Sequence, residues 1–261
     1  DAAEIQKLQV QNEYYPDGKI RVTTMYRNGI PEGVKREFAP DGQIVKSEEY
    51  HNGIVIGEGI VLEDGSRDGP WKEFYSDGSL RAEGRYENGK RIGEWKFFHP
   101  DGKIEQTGKY TKSGKPDGTW KWYYDNGQLL REETYYNGLR DGLSEEYDEN
   151  GNLVERGEYL EGKEDGKWIS STGDHCYIGS YRDGLRTGLW QGYYLTPVEG
   201  RVDSTLSFSG NFIEDLPDGK QTWFWDNGKI REEGTCVMGS REGNWNIYNY
   251  DGTLFLVITY V

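Results

Sequence analysis

The stretch DGTWKWYYDNGQLLREETYYNG, Asp117 to Gly138, is divided by turn dipeptides at Asp117-Gly118, Asn126-Gly127 and Asn137-Gly138. Between them lie six rings, Trp120, Trp122, Tyr123, Tyr124, Tyr135 and Tyr136. The intervals leave room for strands of roughly five to seven residues and for no helix of ordinary length. An Asn-Gly or Asp-Gly pair suits a two-residue type I′ hairpin, whose two central residues take positive φ. The stretch therefore predicts β-hairpins with type I′ turns.

The same grammar runs along the chain. Asp-Gly or Asn-Gly, followed two residues after its Gly by Ile or Leu, occurs at Gly18, Gly42, Gly78, Gly102, Gly127, Gly151, Gly228 and Gly252, most often 24 or 25 residues apart. A second series, Gly29, Gly53, Gly89, Gly138 and Gly162, falls 11 residues after the first. Each unit is thus a hairpin with two turns. In the strand after the first turn, Leu80, Ala82, Gly84 and Tyr86 alternate with Arg81, Glu83 and Arg85, giving one apolar and one charged face. A glycine in mid-strand weakens a strand, so its recurrence predicts that a ring from a neighbouring strand lies across it. The preceding strand begins Gly-x-Trp, at Trp71, Trp95, Trp120, Trp168, Trp190 and Trp245, with a further aromatic three residues on. In a flat strand those two positions face opposite sides, so either both faces carry rings or a bulge realigns them.

The totals agree with an all-β reading. Of 261 residues, 37 are Gly, about twice the usual share, and 9 Trp, 20 Tyr and 8 Phe must supply much of the burial in a chain only 34% hydrophobic. The 46 acidic and 31 basic residues leave a net charge of −15 with no basic block. Nucleic acid and anionic lipid both require clustered Lys and Arg, so neither is an expected partner. The longest apolar run, Leu254 to Ile258, is far short of a membrane-spanning helix. The chain starts at Asp1 without Met. That is consistent with removal of a signal peptide, lipoprotein leader or tag, and leaves export to the periplasm or cell surface and a cytoplasmic location both open.

The motif DGxWKxYYxDGxLxxEGxYxNGKR, legible in Asp68 to Arg91, resembles the MORN repeat, and more closely the bacterial variant of the YwqK-type antitoxin family. The resemblance covers roughly Tyr14 to Val261. It implies an elongated, twisted antiparallel sheet of about ten tandem hairpins, used as a scaffold for protein or membrane contacts and without catalytic residues of its own.

The pattern breaks in four places. Residues 1–13 fit no unit and are expected to form a short helix or an edge segment, leaving 14–261 as one repeat domain. Val55 to Arg67 reads as a truncated unit, and Ile169 to Tyr181 lacks the second ring and is shorter by two. Thr196 to Asp215 stretches one period to 31 residues and is expected to make a longer turn. The terminal strand, residues 254–261, is apolar and is expected to cap the sheet edge.

Chemistry-bearing constellations are scarce. His51, His99 and His175 stand in three different contexts without zinc-ligand spacing. Asp148 to Tyr159 lacks the Gly and Glu of a calcium loop, and Gly57-Glu58-Gly59 lacks the third Gly and the helix of a dinucleotide loop. The carboxylates recur beside Arg and Lys, as cross-strand ion pairs on a solvated face would. Cys176 and Cys236 fall on alternate sides about four strands apart, near 19 Å at roughly 4.8 Å per strand, so two free thiols are expected. No catalytic, cofactor-binding or metal site is assigned. The expected function is a non-enzymatic scaffold for a protein partner, with a carbohydrate or cell-envelope module and an antitoxin-like partner of a toxin as the alternatives.

A position common to all units serves the fold, so a specific surface is sought where units differ. The second residue after the Trp site varies widely, and Phe97 and Trp122, in adjacent repeats, would lie near 10 Å apart on one face. Trp223 and Trp225, beside the long insertion, form the second candidate patch.

Overall fold

The computed structural model describes residues 7–195 and 202–261, with the side chains of 202–204 outside the description. Among these residues there is no helix. Two compact units divide the chain, residues 1–127 and 128–261. In the first, β1 (Gln9–Tyr14), β2 (Ile20–Arg27), β3 (Ile30–Phe38), β4 (Ile44–His51), β5 (Ile54–Val61), β6 (Arg67–Phe74), β7 (Leu80–Glu87), β8 (Lys90–Phe98), β9 (Ile104–Tyr110) and β10 (Pro116–Tyr123) pair antiparallel in chain order. In the second, the same holds for β11 (Leu129–Tyr136), β12 (Leu139–Tyr147), β13 (Leu153–Leu160), β14 (Lys163–Thr172), β15 (His175–Arg182), β16 (Leu185–Leu195), β17 (Val202–Ile213), β18 (Leu216–Phe224), β19 (Ile230–Val237), β20 (Ser240–Tyr248) and β21 (Leu254–Tyr260).

The two series of turns differ in kind. Type I′ geometry belongs to the second series, where both residues have positive φ: 53° and 77° at Asn28-Gly29, 49° and 73° at Asn88-Gly89. The Asp-Gly series departs from the expectation. Around Gly78 only the glycine is left-handed, at φ 86°. Tyr75 N donates to Ser79 O at 2.9 Å and Gly78 N to Tyr75 O at 3.0 Å, which closes a three-residue loop, a type I turn followed by a left-handed glycine. Asp77 is there for its oxygen. Its Oδ1 accepts from the Ser79 hydroxyl at 2.6 Å and the Ser79 amide at 2.9 Å, and these bonds lower its pKa. Asp17, Asp41, Asp64, Asp101, Asn227 and Asp251 hold their loops in the same way.

The strands that follow the loops of Asp17, Asp41, Asp77, Asp101, Asn227 and Asp251 carry a β-bulge beside the loop, whereas after the loop of Asp64 residues Arg67 and Asp68 pair in step with Val61 and Ile60. Phe74 opposes Leu80 and Glu73 opposes Ala82, which leaves Arg81 as the extra residue. Glu105 and Arg231 are extra in the same sense. Rings occupy both faces, and the bulge lies in the next strand: Trp95 and Phe97 stack at 6.0 Å, while their neighbour Phe98 points away.

The core is a ladder of rings. Trp71, Tyr86, Trp95, Tyr110 and Trp120 meet edge to face at successive centroid distances of 6.1, 5.2, 6.5 and 5.0 Å. Each Trp lies across the mid-strand glycine of the preceding strand, as expected. A Cβ on Gly84 would sit 2.3 Å from the Trp95 ring, and one on Gly108 2.1 Å from Trp120. Gly57 and Gly59 lie under Trp71 in the same way, so this glycine pair serves packing. Trp95 Nε1 donates to Arg85 O, one residue past that glycine, at 3.2 Å. The arginine four residues before the Trp covers the ring, Arg67 at 4.6 Å from Trp71 and Arg91 at 4.4 Å from Trp95. Truncating one such Trp to Ala is expected to cost about 3–5 kcal/mol.

The irregular segments resolve as follows. Residues 9–14 form β1, an edge strand without a helix, and residues 1–6 lie outside the described residues. The stretch 196–215 differs from the expected long turn: 202–213 is the strand β17, Glu214 and Asp215 make a tight turn with φ 49° and 69°, and 196–201 lies outside the described residues. The shorter unit joins β14 to β15 with Thr172 opposite His175 and without a bulge. β21 lies at the edge, with Leu254, Phe255, Leu256 and Val257 exposed. Cys176 and Cys236 are free and buried, and burial raises the pKa of both thiols.

Candidate functional site

In the second unit the ladder runs Tyr159, Trp168, Tyr181, Trp190 at 5.2, 5.7 and 5.0 Å, and then changes. Gln221 stands in the Trp position and Cys236 in the Tyr position. The Gln221 amide keeps the tryptophan's hydrogen bond: Nε2 donates to Asn211 O at 2.9 Å, as Trp190 Nε1 donates to Ser180 O at 3.1 Å. A glutamine is too small to fill an indole's place, and Trp223, two residues on, packs between Phe208 at 5.2 Å and Trp245 at 5.9 Å.

Beside this break lies a cleft of about 710 Å³, built on β14 to β19. Register brings the variable positions into one row: Ser170 opposes Tyr177, Tyr177 opposes Gly192, Gly192 opposes Phe208, and Phe208 opposes Trp223. Gly192 has no side chain where other repeats carry Phe97 or Trp122, and this notch lets the Tyr177 ring lean over the backbone. An added Cβ there would be 2.9 Å from that ring and 2.8 Å from Ser207 Oγ. His175 stacks on Tyr177 at 6.0 Å and meets Tyr194 at 4.8 Å, forming one wall. Trp190, Phe212 and Tyr181 contribute ladder rings to the lining.

The polar groups are few. Arg186 covers Phe212 at 4.3 Å and is neutralised by Asp215, whose Oδ1 accepts from Arg186 N at 2.9 Å and Nε at 3.0 Å. Those bonds lower the Asp215 pKa, the backbone one most. Burial raises the pKa of Tyr181 and Tyr194, so both hydroxyls are protonated at neutral pH. Ser207 is 5% exposed, and its Oγ has no hydrogen-bond partner. The arrangement offers apolar surface, ring faces and a few donors. Among the described residues no cluster of His, Cys, Asp and Glu could hold a metal ion.

Of the residues singled out in the sequence, Trp223 lines this cleft. Trp225 lies beyond the end of β18 and packs on Tyr250 at 5.8 Å, with Arg231 5.6 Å from its ring. Phe97 and Trp122 both oppose Gln106, so they are two strands apart in one row of the first unit, each half-buried against its own Trp. Tyr177, Gly192, Phe208 and Arg231 were not singled out. The glycine at the variable position was the one signal available for this notch.

The sequence profile of the MORN repeat variant matches residues 10–28, 67–88, 91–112, 116–137, 140–161 and 217–235. The chain carries MORN repeats of the variant type in these six segments. The match at 67–88 takes in the Trp71 strand, the three-residue loop and the bulged strand with Gly84, and reaches the type I′ turn at Asn88; in 116–137 Glu133 replaces the mid-strand glycine, and in 140–161 the residue opposite it, Ser144, replaces the tryptophan. MORN repeats form scaffolds, often for protein or membrane interactions, and are typically non-enzymatic. No curated protein matches the chain in sequence. Most of the cleft lining, from Ser170 to Phe212, falls between the last two matched segments, so the cleft departs from what the MORN repeats share.

Proposed function

We propose that this MORN-repeat protein is a non-enzymatic scaffold for a protein partner, and that its cleft seats one segment of that partner. The observation that carries the reading is the notch at Gly192: the one row of variable positions interrupted by a glycine is flanked by Tyr177 and Phe208 and walled by rings from neighbouring strands. Concave, ring-rich sites with few polar groups suit anchoring side chains of a peptide. Phe97 and Trp122 form a second aromatic row on the first unit and are candidates for further contact. The test is to select binders from a random peptide library on the full chain and measure the selected peptides against Tyr177→Ala. Binding should weaken at least about tenfold at a temperature where circular dichroism shows the variant fully folded. Peptides that bind the variant equally well, or glycans retained on an array where no peptide is selected, would reject a peptide site.

A further inference from the structure

We infer that the segment seated in the cleft presents a carboxylate beside its aromatic or apolar anchor, and that Arg231 is the residue that reads the carboxylate. This rests on the reading of the cleft as a peptide site. The argument starts from the bulge. A bulge turns its extra residue onto the same face as the residue that follows, so both side chains face the single residue opposite. In two other repeats the extra residue is also arginine, and each has a glutamate across from it. Arg21 pairs with Glu13 at 2.5 Å, and Arg81 pairs with Glu73 at 3.1 Å. In the third, the residue opposite the bulge is Trp223. Arg231 therefore has the placement of Arg21 and Arg81 without their cross-strand carboxylate; Glu232, which follows it on the same face, is paired with Arg241 at 2.7 Å. Among the described residues it makes no ion pair, and its ring contact is Trp225 at 5.6 Å.

The surroundings point the same way. In a chain with 46 acidic residues, no Asp or Glu among the described residues lines the cleft, whereas Arg186, Arg231 and His175 do. Asp215 already neutralises Arg186 and Asp174 pairs with His175, so among the described residues Arg231 is the lining cation that forms no ion pair. One unpaired guanidinium matches one negative charge, and a carboxylate offers its planar fork two acceptors, whereas a phosphate would bring nearly twice the charge. Ser207 Oγ, buried and unpartnered in the lining, is a donor that a bound oxygen would satisfy. Long side chains seat on the rings while the charge is held at the rim.

The test uses the same peptide library on the full chain. Selected sequences should be enriched in Asp or Glu within two residues of an aromatic. A synthetic peptide of the selected sequence, titrated calorimetrically, should bind the wild type at least about tenfold more tightly than its Asn or Gln counterpart. On Arg231→Gln the two should bind within twofold of each other, and Arg231→Lys should restore part of the preference. The wild-type comparison needs no variant to fold. Selected peptides rich in aromatics without acid, or an amide counterpart that binds the wild type equally, would overturn the carboxylate proposal and leave the peptide site standing. If no peptide is selected, the peptide site falls and this proposal with it.

Discussion

Replacing the mid-strand glycine of one repeat by alanine tests the ring ladder directly, and Gly84→Ala is the clearest case. The backbone at Gly84 tolerates any residue, since its φ lies outside the left-handed region. The obstacle is the ring: an alanine Cβ would sit 2.3 Å from Cδ2 and Cε2 of Trp95 and 2.6 Å from Cγ. Carbon atoms settle at roughly 3.5–4.0 Å, so the indole would have to retreat by at least about 1.2 Å. It is poorly placed to do so. Trp95 is 1% exposed, with Tyr86 and Tyr110 at 5.2 and 6.5 Å and Arg91 at 4.4 Å. Retreat would also break the bond from Nε1 to Arg85 O. Overpacking costs about 1–3 kcal/mol and the lost hydrogen bond about 1, offset by about 0.5–1 for removing a glycine from a strand. The net expectation is about 1–3.5 kcal/mol, or a fall in Tm of roughly 3–12 °C. Thermal and urea unfolding followed by circular dichroism would measure it. In a Trp95→Leu background, where no indole crosses position 84, the same substitution should cost less than about 1 kcal/mol. An unchanged or raised Tm for Gly84→Ala, or an equal cost in both backgrounds, would refute the steric account.

At Gly78 nothing lies within 4 Å of an added Cβ, so Gly78→Val measures the left-handed backbone alone. The expected cost is about 1–2 kcal/mol with Gly78→Asn costing less, and equal melts for all three would show that the loop assignment is wrong. Glu48 shows a different dependence. Burial opposes its charge, but bonds from Lys46 and Tyr50 and the charge of Lys35 outweigh it and hold its pKa at about 2. A carboxylate depressed in the folded state adds stability above its unfolded value near 4.5, and loses it as the pH falls towards 2. Glu48→Gln should therefore be less stable than the wild type by roughly 1 kcal/mol at pH 7, a figure discounted for partial exposure. The gap in urea midpoint should narrow between pH 5 and pH 3, and a constant gap over that range would contradict the pairing.

The sequence by itself determined the all-β class, the hairpin unit, the glycine beneath each ladder tryptophan and the likeness of its units to MORN repeats. These follow from short-range physics: which residues take positive φ, and which alternate in and out of a strand. It misjudged the Asp-Gly turns because Asp and Asn before Gly serve two purposes, left-handed φ at Asn88 and a loop-closing oxygen at Asp77, and the dipeptide looks the same in both. It grouped Trp223 with Trp225, of which Trp223 lines the cleft and Trp225 packs on Tyr250, and gave no sign of Tyr177, Phe208 or Arg231. Those depend on which residues of six strands stand opposite one another. Register is set by the bulges, and a shift of one residue sends a side chain to the other face. Only the tertiary structure shows that Gly192 interrupts a row between Tyr177 and Phe208, or that Arg231 faces a tryptophan where Arg21 and Arg81 face glutamates. The cleft is a property of aligned rows, and a single strand read alone does not contain it.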